Sequence, residues 1–316
     1  MKEHILAIGP DAEFLTIGEA LEASKRLTGE VVFTLAPGEY REKLRIERPD
    51  CTFRGTSPYS TTIVYGDFAS QKQGGKILGT ASSASVTVAA PRFKAQNLTF
   101  ANDFDYFAHW DLVKDNPGMK TGLQAVAFMT TALADDTHLS GCRFLGYQDT
   151  LYLDEGSHVL KDCYIEGSID FIFGKGKSLF CDCSILSKAS GYVCAPSTFE
   201  NSLGFLFYKC RFLSEVDQVL PRSVFIGRPW HPKAAPPIVS YAGLIDCFLD
   251  EHINKEGWTF MHANCLDGTQ VFFTPKQSRF FESGSTGPGA VAFPGENRVF
   301  LDEKQRAETL KEFEVS

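Results

Sequence analysis

Cys142 opens the run CRFLGYQDTLY, and 21 residues later Cys163 opens CYIEGSIDFIF. The two runs align without a gap. Each carries Gly four residues after Cys (Gly146, Gly167), Asp seven after (Asp149, Asp170), and an aliphatic–aromatic pair just beyond the Asp (Leu151-Tyr152, Ile172-Phe173). The opening of the unit returns as CSIL at Cys183, CRFL at Cys210 and CFLD at Cys247, while NLTF at Asn97 and CTFR at Cys51 read as weaker members. Units this short cannot bury an apolar face alone, so they must stack, and strand-like units at this period predict a solenoid. In a parallel β-helix every coil pairs its strands with the coils above and below, about 4.8 Å away. Equivalent side chains then form columns, and the cysteines read as one inward column of small, well-packed thiols. The wider gaps, 27 residues from Cys183 to Cys210 and 37 from Cys210 to Cys247, fit insertions at coil corners, where a longer loop costs little entropy.

Composition agrees with this reading. The 316 residues include 27 Phe and 27 Gly but only 4 Met, a usage that favours short strands joined by tight corners. Helical spacing is confined to Phe14, Ile17, Ala20, Leu21 and Leu27 near the start and to DEKQRAETLKEFE near the end. These two helices are expected to cap the open ends of the stack. No low-complexity linker divides the chain, so 1–316 reads as a single all-β domain, a parallel β-helix with short capping helices. A hydrophobic share of 43% excludes wholesale disorder. With 31 basic against 39 acidic side chains, a net charge of −8 and no dense Lys/Arg cluster, a dedicated nucleic-acid binder is not expected. No apolar run approaches the roughly 18 residues of a membrane span. The nine cysteines form no CxxC pair and no Cys/His set at zinc-like spacing, so no metal is expected.

The repeat also makes a chemical statement. Asp149 and Asp170 hold the same place in adjacent coils, so their side chains should point the same way a few ångströms apart. Two carboxylates that close cannot both ionise freely, and one pKa should rise. That arrangement provides one acid and one anionic nucleophile or base at the same pH. The competing reading is a purely structural one, because Asp is common at turns and can cap exposed backbone.

The stretches GYQDTLY (146–152) and IEGSIDFIFG (165–174), with LQAVAF (123–128) upstream and GRPW (227–230) downstream, resemble the pectin methylesterases. LAPGEYREK (35–43), Gly257-Trp258 and STGPGA (285–290) extend the likeness, in family order, over most of the chain. The resemblance implies a right-handed parallel β-helix and a carboxylic ester hydrolase acting on the C6 methyl ester of galacturonate units in pectin. By position it implies Asp170 as nucleophile, Asp149 as general acid and then base, Gln124 and Gln148 as oxyanion-stabilising amides, and Arg228 as the guanidinium holding the nucleophile. It places Trp230 and Trp258, with Tyr147 and Phe173, along the sugar groove. Neither cofactor nor metal is implied. The expected partner is pectin or a methylated oligogalacturonide, with no nucleic acid or membrane, and the expected state is a monomer.

The chain departs from the family pattern at Met129-Thr130, where plant members carry an Arg, at FGKG after the nucleophile, at Ser283 before GPGA, and at HPKAAPP after GRPW. These departures touch the groove rather than the acid, the nucleophile or the Arg. Alternatives on the same scaffold are a thioesterase, a carbohydrate-binding protein, a pectate lyase or a polygalacturonase. A serine hydrolase is not expected, because no GxSxG occurs. Cys163 and Cys183 stand close enough in consecutive coils for a disulfide, but Cys142 shares their column and all three cannot pair. The odd cysteine count and the absence of a signal peptide point to free thiols and a cytoplasmic location for the chain as written, or secretion if it is a trimmed form.

Overall fold

A computed structural model describes residues 3–114, 122–232, 238–264 and 269–315. Its main body is a stack of coils joined by parallel strand pairing. One face is a sheet of ten parallel strands, which begins at His4–Ile8, Val31–Leu35 and Cys51–Gly55 and ends at Tyr241–Ile245 and Arg279–Ser283. The chain then turns a corner onto a second face, through strands such as Arg143–Leu145 and Arg211–Ser214, and onto a third, through Phe128–Thr130, Leu151–Leu153 and Val224–Gly227. Tyr164–Gly174 and Ser184–Pro196 run around both of these faces, so they join into one sheet. This is the parallel β-helix that the repeat predicts.

Corner chemistry explains the repeat. Between the first and second faces the chain passes through the left-handed region at Asn97, Gly141, Asp162, Asp182, Lys209 and Asp246, with φ between 52° and 58°. The reversal takes one residue, and Asn, Asp and Gly tolerate that conformation best. The next residue in each coil points inward: Leu98, Cys142, Cys163, Cys183, Cys210 and Cys247 are all buried. Their carbonyls receive the amide of the following coil, from Tyr164 to Cys142, Ser184 to Cys163, Arg211 to Cys183 and Phe248 to Cys210, each at 2.9 Å. Asn97 is therefore one residue out of register with the cysteines, and Leu98 holds the column position. Cys51 lies outside the column altogether, in register with Val31 and Phe93 on the first face. Gly167 is small because a Cβ there would meet the Cβ of Phe171 at 2.2 Å.

Stacked phenylalanines fill the interior. Phe33, Phe53 and Phe93 follow one another on the first face with centroids 5.0 and 5.5 Å apart, and Phe100 stacks on Phe144 at 5.5 Å. Helix α1 (Ile17–Ser24) is closed by a Thr16–Glu19 capping box and packs Ile17 and Ala20 into this core. Helix α2 (Tyr106–Lys114) was not legible as a helical period. Helix α3 (Glu303–Glu312) is capped by Asp302. It covers the flank of the first face rather than the end of the stack: Phe313 packs with Leu206, Tyr241, Ile245 and Phe281, whereas Phe205 and Phe207 point into the main core.

The eight described cysteines are free thiols, Cys163 and Cys183 included. Burial makes the column unreactive, and on the first face desolvation pushes the Cys51 thiol up to about 12. Peptide-resolved alkylation without reductant should therefore leave Cys142, Cys163, Cys183, Cys210 and Cys247 unmodified in the native protein and modify all five in denaturant. Persistent protection of Cys163 and Cys183 in denaturant would show a bridge instead.

Candidate active site

Asp149 and Asp170 stand at the corner between the second and third faces, again in the left-handed region (φ 65° and 49°). The strands that follow fix them as equivalents: Leu151 is in register with Ile172 and Tyr152 with Phe173. Asp162 and Asp182 are exposed, and there the structural reading of a corner aspartate holds. Asp149 and Asp170 are only 9% and 8% exposed. Carboxyls at that depth need partners. Asp170 has a bidentate one, since Arg228 donates from Nε at 2.9 Å and from Nη2 at 2.7 Å. Asp149 interacts with the Gln148 side chain and with the charge of Asp170.

The two acids are thereby made unequal. Burial pushes Asp149 up, the neighbouring Asp170 charge pushes it further, and Arg228 and Gln148 offset this only in part, leaving it well above the ordinary carboxylate range. Burial also raises Asp170, but Arg228 opposes it through a charge-assisted hydrogen bond and its positive charge. Of the two, Asp170 has the partner that favours the charged form and Asp149 has the surroundings that favour the protonated one. The sequence anticipated one raised acid; the structure raises both, because both are desolvated.

Gln124 lies one coil before Gln148: the amide of Ala125 donates to the Gln148 carbonyl at 3.1 Å. Both glutamines are half-buried. Trp230 is half-buried and meets Tyr152 and Phe173 edge-on at 6.3 and 5.7 Å. Phe173 is 3% exposed and stacks on Tyr152 at 4.3 Å, so it backs the aromatic wall and offers little surface of its own. Tyr147 is half-buried, its ring engaged by Tyr106 at 5.4 Å, by Phe107 and by the Lys188 ammonium at 3.6 Å. Trp258 is corrected: it is 0% exposed, stacked on Phe280 at 4.3 Å, and bridges Gly227. It is a core residue beneath the coil that carries Arg228, not part of the groove.

Two wall residues were missed. Tyr152 stands three after Asp149, as Phe173 stands three after Asp170, so the repeat itself carried the signal. Met129 packs beneath the wall with Phe173 and Ala195; only its departure from the family pattern marked it.

Paired buried carboxyls in unequal surroundings, an arginine clamp and an aromatic wall on a parallel β-helix form an arrangement suited to acid–base and nucleophilic chemistry at an acyl group. Comparison with known proteins gives the family. The family model described as Pectinesterase matches residues 4–313, and the chain belongs to that family. Pectinesterase A of Dickeya chrysanthemi is 34% identical over 93% of this chain and 85% of its own. Pectinesterase A of Emericella nidulans is 30% identical over 96% of this chain and 84% of its own. Among solved structures, pectin methylesterase PemA from Erwinia chrysanthemi superposes with a TM-score of 0.91 at 30% identity, covering 100% of this chain and 98% of that one. A pectin methylesterase solved in complex with a hexasaccharide gives the same TM-score at 31% identity, covering 100% and 98%.

Asp149→Asn should raise thermal stability at neutral pH. A folded pKa above the unfolded one, about 3.9, means that stability falls as pH rises from the unfolded towards the folded value. Removing the titrating group lifts that penalty at pH 7 and changes little below about pH 4, where the carboxyl is protonated in both states. Melting curves at several pH values check this, and a gain that grows towards acid pH would contradict the assignment.

Proposed function

We propose that this protein is a pectinesterase: it removes methyl esters from galacturonate units of pectin or methylated oligogalacturonides and releases methanol through an aspartyl acyl-enzyme. The observation that carries the reading is the asymmetric pair, Asp170 bound edge-on by Arg228 and Asp149 raised beside it.

Asp170 attacks the ester carbonyl carbon. Charge builds on the carbonyl oxygen, where the amide groups of Gln124 and Gln148 serve as donors, each of a kind worth about 2.7–4 kcal/mol. As the tetrahedral species collapses, protonated Asp149 gives its proton to the departing methoxy oxygen, and methanol leaves. The acyl-enzyme is an anhydride between Asp170 and the substrate carboxyl. Asp149, now anionic, takes a proton from water as the water attacks that carbonyl, and cleavage regenerates the Asp170 carboxylate and protonated Asp149. Trp230 and Tyr152 offer the apolar wall on which a sugar ring can rest.

Local charge bears on the substrate. Among the described residues, three cations near the site are committed: Arg228 to Asp170, Lys188 to Glu166 at 2.9 Å, and Lys175 to Asp154 and Glu155 at 3.2 and 2.8 Å. With the net charge of −8, this favours ester-rich segments over free carboxylates. Initial rates on pectins of graded methylation should rise with ester content beyond simple proportionality, and faster action on sparsely methylated polymer would remove this preference.

Asp170→Asn should cut methanol release at least about a thousandfold, as expected for loss of a nucleophile. Gln148→Ala should lower kcat about 100- to 1000-fold. The pH–rate profile should be bell-shaped, its acid limb set by ionisation of Asp170 and its alkaline limb by loss of the Asp149 proton. Unsaturated or new reducing ends in place of methanol would identify a lyase or a polygalacturonase.

A further inference from the structure

The coil after Asp170 breaks the repeat. Counting seven residues from Cys183, as from Cys142 and Cys163, reaches Ser190 rather than a third aspartate. Gly167 is in register with Ser187, but Ile169 is in register with Tyr192. Two residue steps on one coil therefore match five on the next, and the extra residues loop out before Tyr192. Gly191 returns the chain tightly against the earlier coil, because a Cβ there would lie 2.4 Å from the Ser168 carbonyl oxygen. The coil thus carries Ser190 where a third aspartate would fall, and after the loop it presents Tyr192 in register with Ile169, the residue before Asp170.

That ring faces Arg228. The guanidinium carbon lies 3.7 Å from the Tyr192 centroid, while Nε and Nη2 hold Asp170 at 2.9 and 2.7 Å. Behind it, Tyr192 stacks on Phe225 at 6.0 Å and 21°, its registered neighbour in the following coil. The Arg228 backbone is pinned by its amide to the Cys194 carbonyl at 3.0 Å. Between these fixed ends runs a flexible stem. A bidentate pair forms only when the guanidinium and carboxylate are aligned. A π-face attracts the guanidinium without accepting the N–H groups that Asp170 needs. A third carboxylate in the same place would compete for those N–H groups and repel Asp170.

We propose that Tyr192 is a positioning residue for the reaction, its ring holding the Arg228 guanidinium edge-on to Asp170 so that the carboxylate is fixed for attack. This rests on Asp170 being the nucleophile, which Asp170→Asn tests separately. In this role Tyr192 acts through Arg228, whose guanidinium its ring covers.

The experiment compares Tyr192→Phe and Tyr192→Leu in the parent and in Arg228→Lys, measuring methanol release against substrate concentration and pH. Tyr192→Phe keeps the π-face and should stay within about threefold of the parent, whereas Tyr192→Leu should lose about tenfold or more in kcat with little change in KM. The acid limb of Tyr192→Leu should move to higher pH, because a loosened Arg228 stabilises the Asp170 anion less. In the Arg228→Lys background, where the planar partner is already gone, Tyr192→Leu should add little. Tyr192→Met carries the same test if the leucine variant does not fold. Parent-like kcat and pH profile in Tyr192→Leu would overturn the proposal. So would equal losses in the Phe and Leu variants, or a lower kcat with an unmoved acid limb.

Discussion

Parallel register between consecutive coils is the constraint on which the rest of this molecule depends. Each coil passes its backbone donors and acceptors to its neighbours, so a residue's height in the stack and its face follow from its place in the unit. Register is costly to lose, because a slip of one residue would turn Phe144, Ile165 and Ile185 from the core to solvent. The same constraint sets Asp149 against Asp170. Their proximity does not depend on a flexible loop; it belongs to the ladder that pairs Leu151 with Ile172.

Energetically the site goes against the fold. Two carboxyls are held away from water at a corner where backbone pairing would have formed equally well with exposed aspartates, as at Asp162 and Asp182. Burying an ion pair is at best neutral for stability, and burying a second acid beside it is unfavourable unless that acid keeps its proton. A protonated Asp149 beside an ionised, arginine-bound Asp170 is therefore the pattern that least penalises folding, and it is the one the proposed mechanism requires. A second buried ion pair serves a different end. Arg298 and Glu282, each 1% exposed, join through Nε and Nη2 at 2.7 and 2.6 Å, and Arg298 also donates to the Gly289 carbonyl at 3.2 Å. This pair ties the segment around Arg298 to the last strand of the ten-stranded sheet, near the end where Trp258 fills the core.

Much of this was legible in sequence wherever one residue type served one geometric need. The cysteine column appeared because a small inward side chain follows a left-handed corner in five coils, and the acid pair appeared because two units align without a gap. Legibility failed where another side chain met the same need. Leu98 fills the cysteine position without a thiol, so the unit at Asn97 was read one residue out of register, and Cys51 matched by letter alone. Helix α2 carries no clear apolar period, because Tyr106, Phe107 and Trp110 all engage aromatic neighbours in or beside the helix rather than a single core-facing stripe. Trp258 failed for another reason. A motif gives a residue's position but not its exposure, and an indole stacked on Phe280 beneath Gly227 lies beneath the groove rather than in it.

The contrast between regular and irregular coils separates scaffold from chemistry. Strict repetition can only duplicate, so a perfect solenoid would offer a column of identical aspartates, mutually repelling and without distinct roles. Roles arise where the period fails. The lengthened gap between Cys183 and Cys210 removes the third carboxylate, and the longer one between Cys210 and Cys247 carries GRPW and so delivers Arg228 and Trp230 from a coil beyond. One acid then has a bidentate cation and the other does not, and in the mechanism proposed above a symmetric pair becomes a nucleophile and a proton donor. In a β-helix of this kind the insertions that blur the repeat are places to look for function, because they bring side chains to the site that the regular unit does not carry.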